Sequence, residues 1–195
     1  MEETDNEEGV ARLELFMAAM IALLSISTAG TAYLSHMEGS SSTHNYHTSD
    51  SILVTANSLY LEANQVIIYD FNCYDSYYLA LEAGNESVAD YYYSSMSQEA
   101  LDSLERETGP FDDQYFEEMY EYASTTEDEG LELADQAAQE NTNSDEYQLA
   151  VLISAVGLSL TGWAALMQAK KLKMTFITCS GLALMLSVVQ AIGVG

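Results

Sequence analysis

The sequence predicts an all-α protein: three transmembrane helices plus an extracytoplasmic antiparallel, coiled-coil-like helical hairpin with a kinked return arm. Three observations carry this. Three apolar runs lack any charge; three of the five basic residues crowd between two of those runs; and the acidic middle repeats its apolar residues at helical spacing.

The runs are Phe16–Leu34, Leu149–Met167 and Met174–Gly195. At about 1.5 Å per residue each spans the roughly 30 Å hydrocarbon core of a bilayer. Buried helices of a soluble bundle seldom run so far without a charge, so spans are the better reading. A cleaved signal peptide competes for the first run, because Gly30 and Ala32 offer small residues at suitable spacing. The acidic stretch 1–15, with Arg12 its single basic residue, is a poor signal-peptide front end, and an uncleaved anchor is expected.

Orientation follows from the lysines. Lys170, Lys171 and Lys173 occupy the stretch 168–173 between the second and third runs, and Arg12 precedes the first. Cytoplasmic loops collect Lys and Arg. The expected layout is therefore a cytoplasmic segment 1–15, spans at 16–34, 149–167 and 174–195, a cytoplasmic turn at 168–173, and an outer domain at 35–148, in a cell membrane. Snorkelling of lysines to an interface explains their presence but not their scarcity elsewhere.

The outer segment holds Arg106 as its only Lys or Arg, in a chain with 31 acidic residues. Such repulsion is screened within about 10 Å at 0.1 M salt, so salt or divalent cations are expected to favour folding. Nucleic acid and anionic lipid are poor partners for this outer segment, since both need basic patches; the expected partners are protein, a second copy, and the membrane lipid around the spans.

Disorder is not expected, because apolar residues recur at Leu53, Ala56, Tyr60, Ala63, Ile67, Phe71, Tyr74, Tyr78 and Leu81, the step of a coiled-coil seam. The first outer helix is expected from near Thr43 or Asn45 to Gly84-Asn85, with 38–43 a flexible link or part of one continuous helix. A second helix is expected over 87–107, marked by Val88, Tyr91, Tyr92, Met96, Leu101 and Leu104. Gly109-Pro110 forces a break. A third helix starts near Asp112 or Asp113. Its marks are Tyr115, Phe116, Met119, Tyr122, Ala123, Leu131, Leu133, Ala134 and Ala137; 140–146 reads as a hinge.

Chemistry is sparse. His44 and His47 lie one helical turn apart and, with Asp50 or His36, form the candidate metal site, against the plainer reading of polar linker residues. The acidic runs lack the alternating pattern of a calcium loop, so diffuse Ca²⁺ or Mg²⁺ binding is expected and no dedicated cofactor. The tyrosines read as packing residues with wet hydroxyls. Cys73 and Cys179 form neither a disulfide framework nor a redox motif. No nucleophile elbow, phosphate loop, dinucleotide fingerprint or zinc-protease motif occurs, and no charge lies at mid-depth of a span, so neither enzyme nor transporter is expected.

The stretch "DEYQLAVLISAVGLSLTGWAAL" (Asp145–Leu166) and the spacing of the spans resemble a loose group of uncharacterised prokaryotic, mostly archaeal, membrane proteins with one N-terminal and two C-terminal membrane helices around an acidic helical region. The resemblance implies an architecture and carries no activity or site residue. The expected function is a membrane-anchored helical stalk making protein–protein contacts at the cell surface, including self-association along its seam. The alternative is a module or accessory subunit that senses divalent cations or a ligand.

Overall fold

The computed structural model describes the backbone of residues 2–194 and the side-chain surroundings of Gly9 and residues 11–194; the remainder of the acidic N-terminal stretch, and Gly195, lie outside the described residues. The described residues form five helices: α1 (Glu2–Glu82), α2 (Glu86–Tyr93), α3 (Gln98–Leu104), α4 (Asp113–Leu166) and α5 (Lys170–Ile192). The described residues contain no strand, as the all-α expectation requires. Three helices are long and apolar enough to cross a membrane, namely α1 from Ala11, α4 and α5.

Several expected boundaries shift. The first helix starts at Glu2 rather than near Thr43, so the 38–43 stretch is helix and not a flexible link. The 140–146 stretch is also helix, within α4. The 38–43 stretch is rich in Ser and Gly, and the 140–146 stretch contributes Ser144, where two helices approach closely. A Cβ on Gly39 would sit 3.1 Å from the Ser144 hydroxyl oxygen, and Ser42 donates a 2.7 Å bond to the Ala137 carbonyl. Weak helix formers are retained where tight packing needs small side chains. The expected helix over 87–107 divides at Ser94–Ser97 into α2 and α3. The chain between α4 and α5 is irregular only at 167–169, so all three lysines fall in the first turn of α5 rather than in a turn.

Two compact units divide the chain. The first comprises Met1–Asn45 and Gln136–Gly195, hence parts of α1 and α4 with all of α5. Its interior is built largely from small and hydroxylated residues, together with Met17, Met20, Leu24 and Ile177. Ser154, Ser180 and Ser187 are fully buried and Thr161 nearly so, while Ile26, Met185 and Val189 are two-thirds exposed and Leu166 is 84% exposed. The hydroxyls bond to one another and to backbone. Ser27, Ser154 and Ser187 form a triangle across α1, α4 and α5, and Ser187 also donates to the Ala150 carbonyl at 3.0 Å. Ser180 bonds Thr161 and donates to the Gly157 carbonyl at 2.8 Å. Gly157 admits this approach, since a Cβ there would lie 3.0 Å from both Ala183 and Leu24. Further along, Ser35 and Ser144 exchange bonds with each other's carbonyls at 3.1 and 2.9 Å.

The second unit is Tyr46–Asp135. Here α1 and α4 run antiparallel. Ser49 donates to the Gly130 carbonyl at 2.7 Å, Tyr60 to Glu127 at 2.8 Å, and Tyr120 to Asn64 at 2.8 Å. Buried positions recur every seven residues on both helices: Ser49, Ala56, Ala63 and Asp70 on α1, Ala123 and Gly130 on α4. Of the expected apolar marks on α1, Ala56, Ala63 and Ile67 are buried. Phe71, Tyr78 and Leu81 are instead exposed, because the buried register continues through Asp70, Cys73 and Ala80. Tyr91 on α2, with Tyr122 and Leu131 on α4, also face outward.

The turns have local causes. Gly84, at φ 69°, lets the Asn85 N–H reach the Ala80 carbonyl at 2.9 Å and closes α1. Asn85 caps α2, Ser97 caps α3 through the Ala100 N–H, and Asp112 accepts the Tyr115 N–H at 3.0 Å to open α4. Around Pro110 the backbone turns to positive φ: Gly109 lies at φ 93°, which glycine adopts freely, and Phe111 at φ 56°. A left-handed aromatic residue costs about 1–2 kcal/mol. Phe111 holds it because its ring contacts Phe71, Tyr74 and Tyr115 at centroid distances of 4.3, 5.4 and 5.1 Å, and its N–H donates to buried Ser103 at 3.2 Å.

Candidate functional site

The expected metal residues do not gather. His44, His47 and Asp50 are all exposed on α1, and so is His36. Among the described residues no group of three or more His, Cys, Asp or Glu side chains comes close enough to hold a metal ion. Helical spacing brought His44 and His47 onto neighbouring positions; among the described residues no second helix contributes the ligands that would complete a shell.

The densest polar chemistry lies elsewhere, at Asp70. This carboxylate is fully buried between α1, α3 and α4. Its Oδ1 accepts the Ser97 N–H at 2.7 Å, and its Oδ2 accepts the Ser97 hydroxyl at 2.5 Å and the Tyr115 hydroxyl at 2.9 Å. Ser97 in turn accepts the Ala100 N–H at 3.1 Å, so one side chain links the carboxylate to the start of α3. Burying an ionised carboxylate costs several kcal/mol unless its lone pairs are filled. Here they are filled by three donors. Burial, and then the bond to Asp70, push the Tyr115 hydroxyl well above its ordinary range, so it stays a donor.

Around Asp70 lies an apolar cluster of Ile67, Cys73, Met96, Ala100 and Tyr115, with Tyr74, Phe111 and Met119 packed against it. Desolvation, with Tyr78 alongside, pushes Tyr74 up to about 12. Because the node is enclosed and its acceptors are occupied, it has no open position for substrate or metal. What it does is lock α1, α3 and α4 together.

Arg106 forms a second fastening. Its guanidinium donates to Asp112 at 2.7 Å and to Glu118 at 2.8 Å. Asp112 also accepts the Thr108 hydroxyl at 2.5 Å. The Thr108 bond first, then the Tyr115 N–H and Arg106, hold the Asp112 carboxyl below its usual range. Gln114 and Arg106 do the same for Glu118. The loop carrying Pro110 is thereby tied to the first turns of α4.

Reading the sequence for apolar spacing missed Asp70, Ser97 and Arg106. One signal was present for Asp70: it continues the seven-residue series Ser49, Ala56, Ala63. No sequence signal pairs it with Ser97 or Tyr115, which arrive through the path of the chain after Gly84.

The tyrosines divide. Tyr115 is buried, and Tyr74, Tyr92 and Tyr120 are partly buried against the cluster, as a packing role requires. Tyr69, Tyr78, Tyr91 and Tyr122 present more than half their surface. Compared with protein-family models, curated proteins and solved structures, the chain matches none.

Proposed function

We propose that the chain is a membrane-anchored helical stalk, held by three spans, which makes protein–protein contacts at the cell surface and catalyses no reaction. The observation that supports it best is the arrangement of the first unit. Hydroxylated and small residues make up most of its interior, beside Met17, Met20, Leu24 and Ile177, while its other described Leu, Ile, Val and Met side chains stay partly or fully exposed. Water penalises that arrangement, because apolar area stays exposed at about 25 cal/mol per Å². Lipid favours it, because small residues permit close packing and interior hydroxyls find partners. Among the described side chains no buried N or O atom lacks a hydrogen-bond partner, which a bilayer interior demands.

Orientation rests on the lysines. A helix N-terminus disfavours cations, yet α5 opens with Lys170, Lys171 and Lys173. A requirement for positive charge on the cytoplasmic side accounts for them. On this reading the acidic second unit stands outside as a coiled-coil-like hairpin. Of the seam expected to self-associate, Ala56, Ala63 and Ile67 are buried within the chain, while Phe71, Tyr78 and Leu81 stay exposed.

The test is a cysteine introduced at exposed Ser94 in a Cys179→Ala background. A membrane-impermeant maleimide is expected to label it in intact cells. Labelling only after lysis would overturn the surface placement.

A further inference from the structure

We infer that Asn85 is an acceptor for an N-linked glycan. The donor is a lipid-linked oligosaccharide, a polyprenyl phosphate or diphosphate that holds the sugar chain by its first anomeric carbon. The inference rests on the stalk reading in one respect: the loop that carries Asn85 stands on the outer side of the membrane, where acceptor loops lie.

The tripeptide Asn85-Glu86-Ser87 has the acceptor pattern, Asn and Ser two apart with a residue other than Pro between them. The pattern occurs by chance in many chains, and its place in the fold decides whether an enzyme can reach it. Of the eight Asn residues in the chain, Asn85 is the one that begins this pattern. It is also the one outside a helix, since the other seven lie within α1 or α4. Residues 81–88 are all exposed, the longest unbroken exposed run among the described side chains, and Asn85 falls within it.

The side chains leave the reacting groups unoccupied. The Asn85 Oδ1 caps α2 by accepting the Val88 N–H at 3.4 Å. Its Nδ2, the atom that takes the sugar, has no hydrogen-bond partner among the described residues, and neither has the Ser87 hydroxyl. By contrast, exposed hydroxyls on the long helices bond back one turn, as Thr55 does to the Ser51 carbonyl and Thr125 to the Glu121 carbonyl. Capping does not call for this pair of residues. Asp or Ser caps about as well as Asn, and a cap asks nothing of residue 87. The acceptor pattern requires both. Seating the tripeptide in a transferase means opening the first turn of α2. That helix has eight residues and buries Ala89 alone, so little packing is lost.

In the transfer, Nδ2 forms a bond to the anomeric carbon while the bond from that carbon to the lipid phosphate oxygen breaks. The electron pair of the broken bond leaves with the phosphate, and Nδ2 releases one proton to solvent, so nothing is oxidised or reduced. Oδ1 remains a carbonyl oxygen, and the cap on α2 survives the modification.

The experiment uses the full chain purified from the membranes of its own host, read by intact mass and by mass spectrometry of peptides containing residue 85. Wild type is expected to exceed the mass of its sequence by a glycan carried on Asn85. Asn85→Asp keeps a capping oxygen but has no amide nitrogen, and Ser87→Ala keeps Asn85 but breaks the pattern. Both are expected to lose the whole increment, and Ser87→Thr, which restores the pattern, to keep it. Far-UV circular dichroism checks that each variant folds. A bare Asn85 in wild type overturns the inference, as does a glycan on Asn85 that Ser87→Ala leaves in place. The Ser94→Cys label separates this outcome from the placement. Labelling in intact cells with Asn85 bare removes the acceptor alone. A glycan on Asn85 with labelling only after lysis removes the cell-surface placement alone and puts the loop in an internal compartment. Labelling only after lysis with Asn85 bare removes both.

Discussion

The Tyr115 hydroxyl donates a 2.9 Å hydrogen bond to the Asp70 carboxylate, and both side chains are fully buried. Forty-five residues apart in sequence, they join α1 to α4 at the point where α3 also enters through Ser97. Tyr115→Phe keeps the ring and its apolar contacts but removes one of three donors to a buried charge. The expected loss is about 1–3 kcal/mol, seen as a lower thermal midpoint by circular dichroism. Asp70→Asn is expected to cost more, since an amide turns two hydrogens toward groups that already donate. Midpoints unchanged in both variants would refute the locking role.

Gly130 tests the closeness of α1 and α4 in the second unit. A Cβ there would lie 2.8 Å from a Leu53 methyl and 2.9 Å from its branch carbon. Helix propensity favours Ala over Gly by about 1 kcal/mol, whereas overpacking costs roughly 1–3. Overpacking is expected to prevail, so Gly130→Ala lowers stability and Gly130→Leu lowers it further. A stabilised Gly130→Ala variant would show that the helices can part without penalty.

Arg106→Gln probes the loop fastening through its pH dependence. Asp112 and Glu118 titrate below their ordinary range in the folded chain. A depressed carboxylate stabilises the fold above its unfolded value, near 4, and loses that contribution as pH falls through the folded value. The gap in thermal midpoint between wild type and Arg106→Gln is therefore expected to be constant near neutrality and to close below pH about 4. A gap independent of pH would place the effect of Arg106 in packing rather than charge.

At the alkaline end, Tyr74 ionises only near 12 and Tyr115 is held higher than usual as well. The unfolded chain ionises near 10, so stability is expected to fall as pH rises from about 10 to 12. Tyr74→Phe should blunt that fall, read by tyrosinate absorbance alongside circular dichroism. An identical alkaline transition in Tyr74→Phe would count against a buried Tyr74.

Ser187 addresses the first unit. It bonds to Ser27, Ser154 and the Ala150 carbonyl in a space without room for a larger side chain. Ser187→Leu is expected to loosen the three helices, lowering the midpoint in detergent, whereas Leu186→Ala, on the exposed side, leaves it near wild type. The reverse order would argue against an interior built from hydroxyls.

Much of the fold was written in the chain by itself. Long charge-free runs favour helices, Gly84-Asn85 and Gly109-Pro110 favour breaks, and an acidic residue suits the start of α4, because each of these depends on local backbone chemistry. The tertiary structure alone decided the rest. Ser42 and Ser144 look like linker residues until a second helix approaches near enough to need their smallness and accept their hydroxyls. His44 and His47 lie at ligand spacing, but among the described residues no third His, Cys, Asp or Glu joins them. Asp70 looks like one more solvated acid among 31, and is the one enclosed by Ser97 and Tyr115. Periodicity shows that a face exists; which small residue sits under a neighbouring backbone, and which charge finds donors in the interior, depends on contacts between residues distant along the chain.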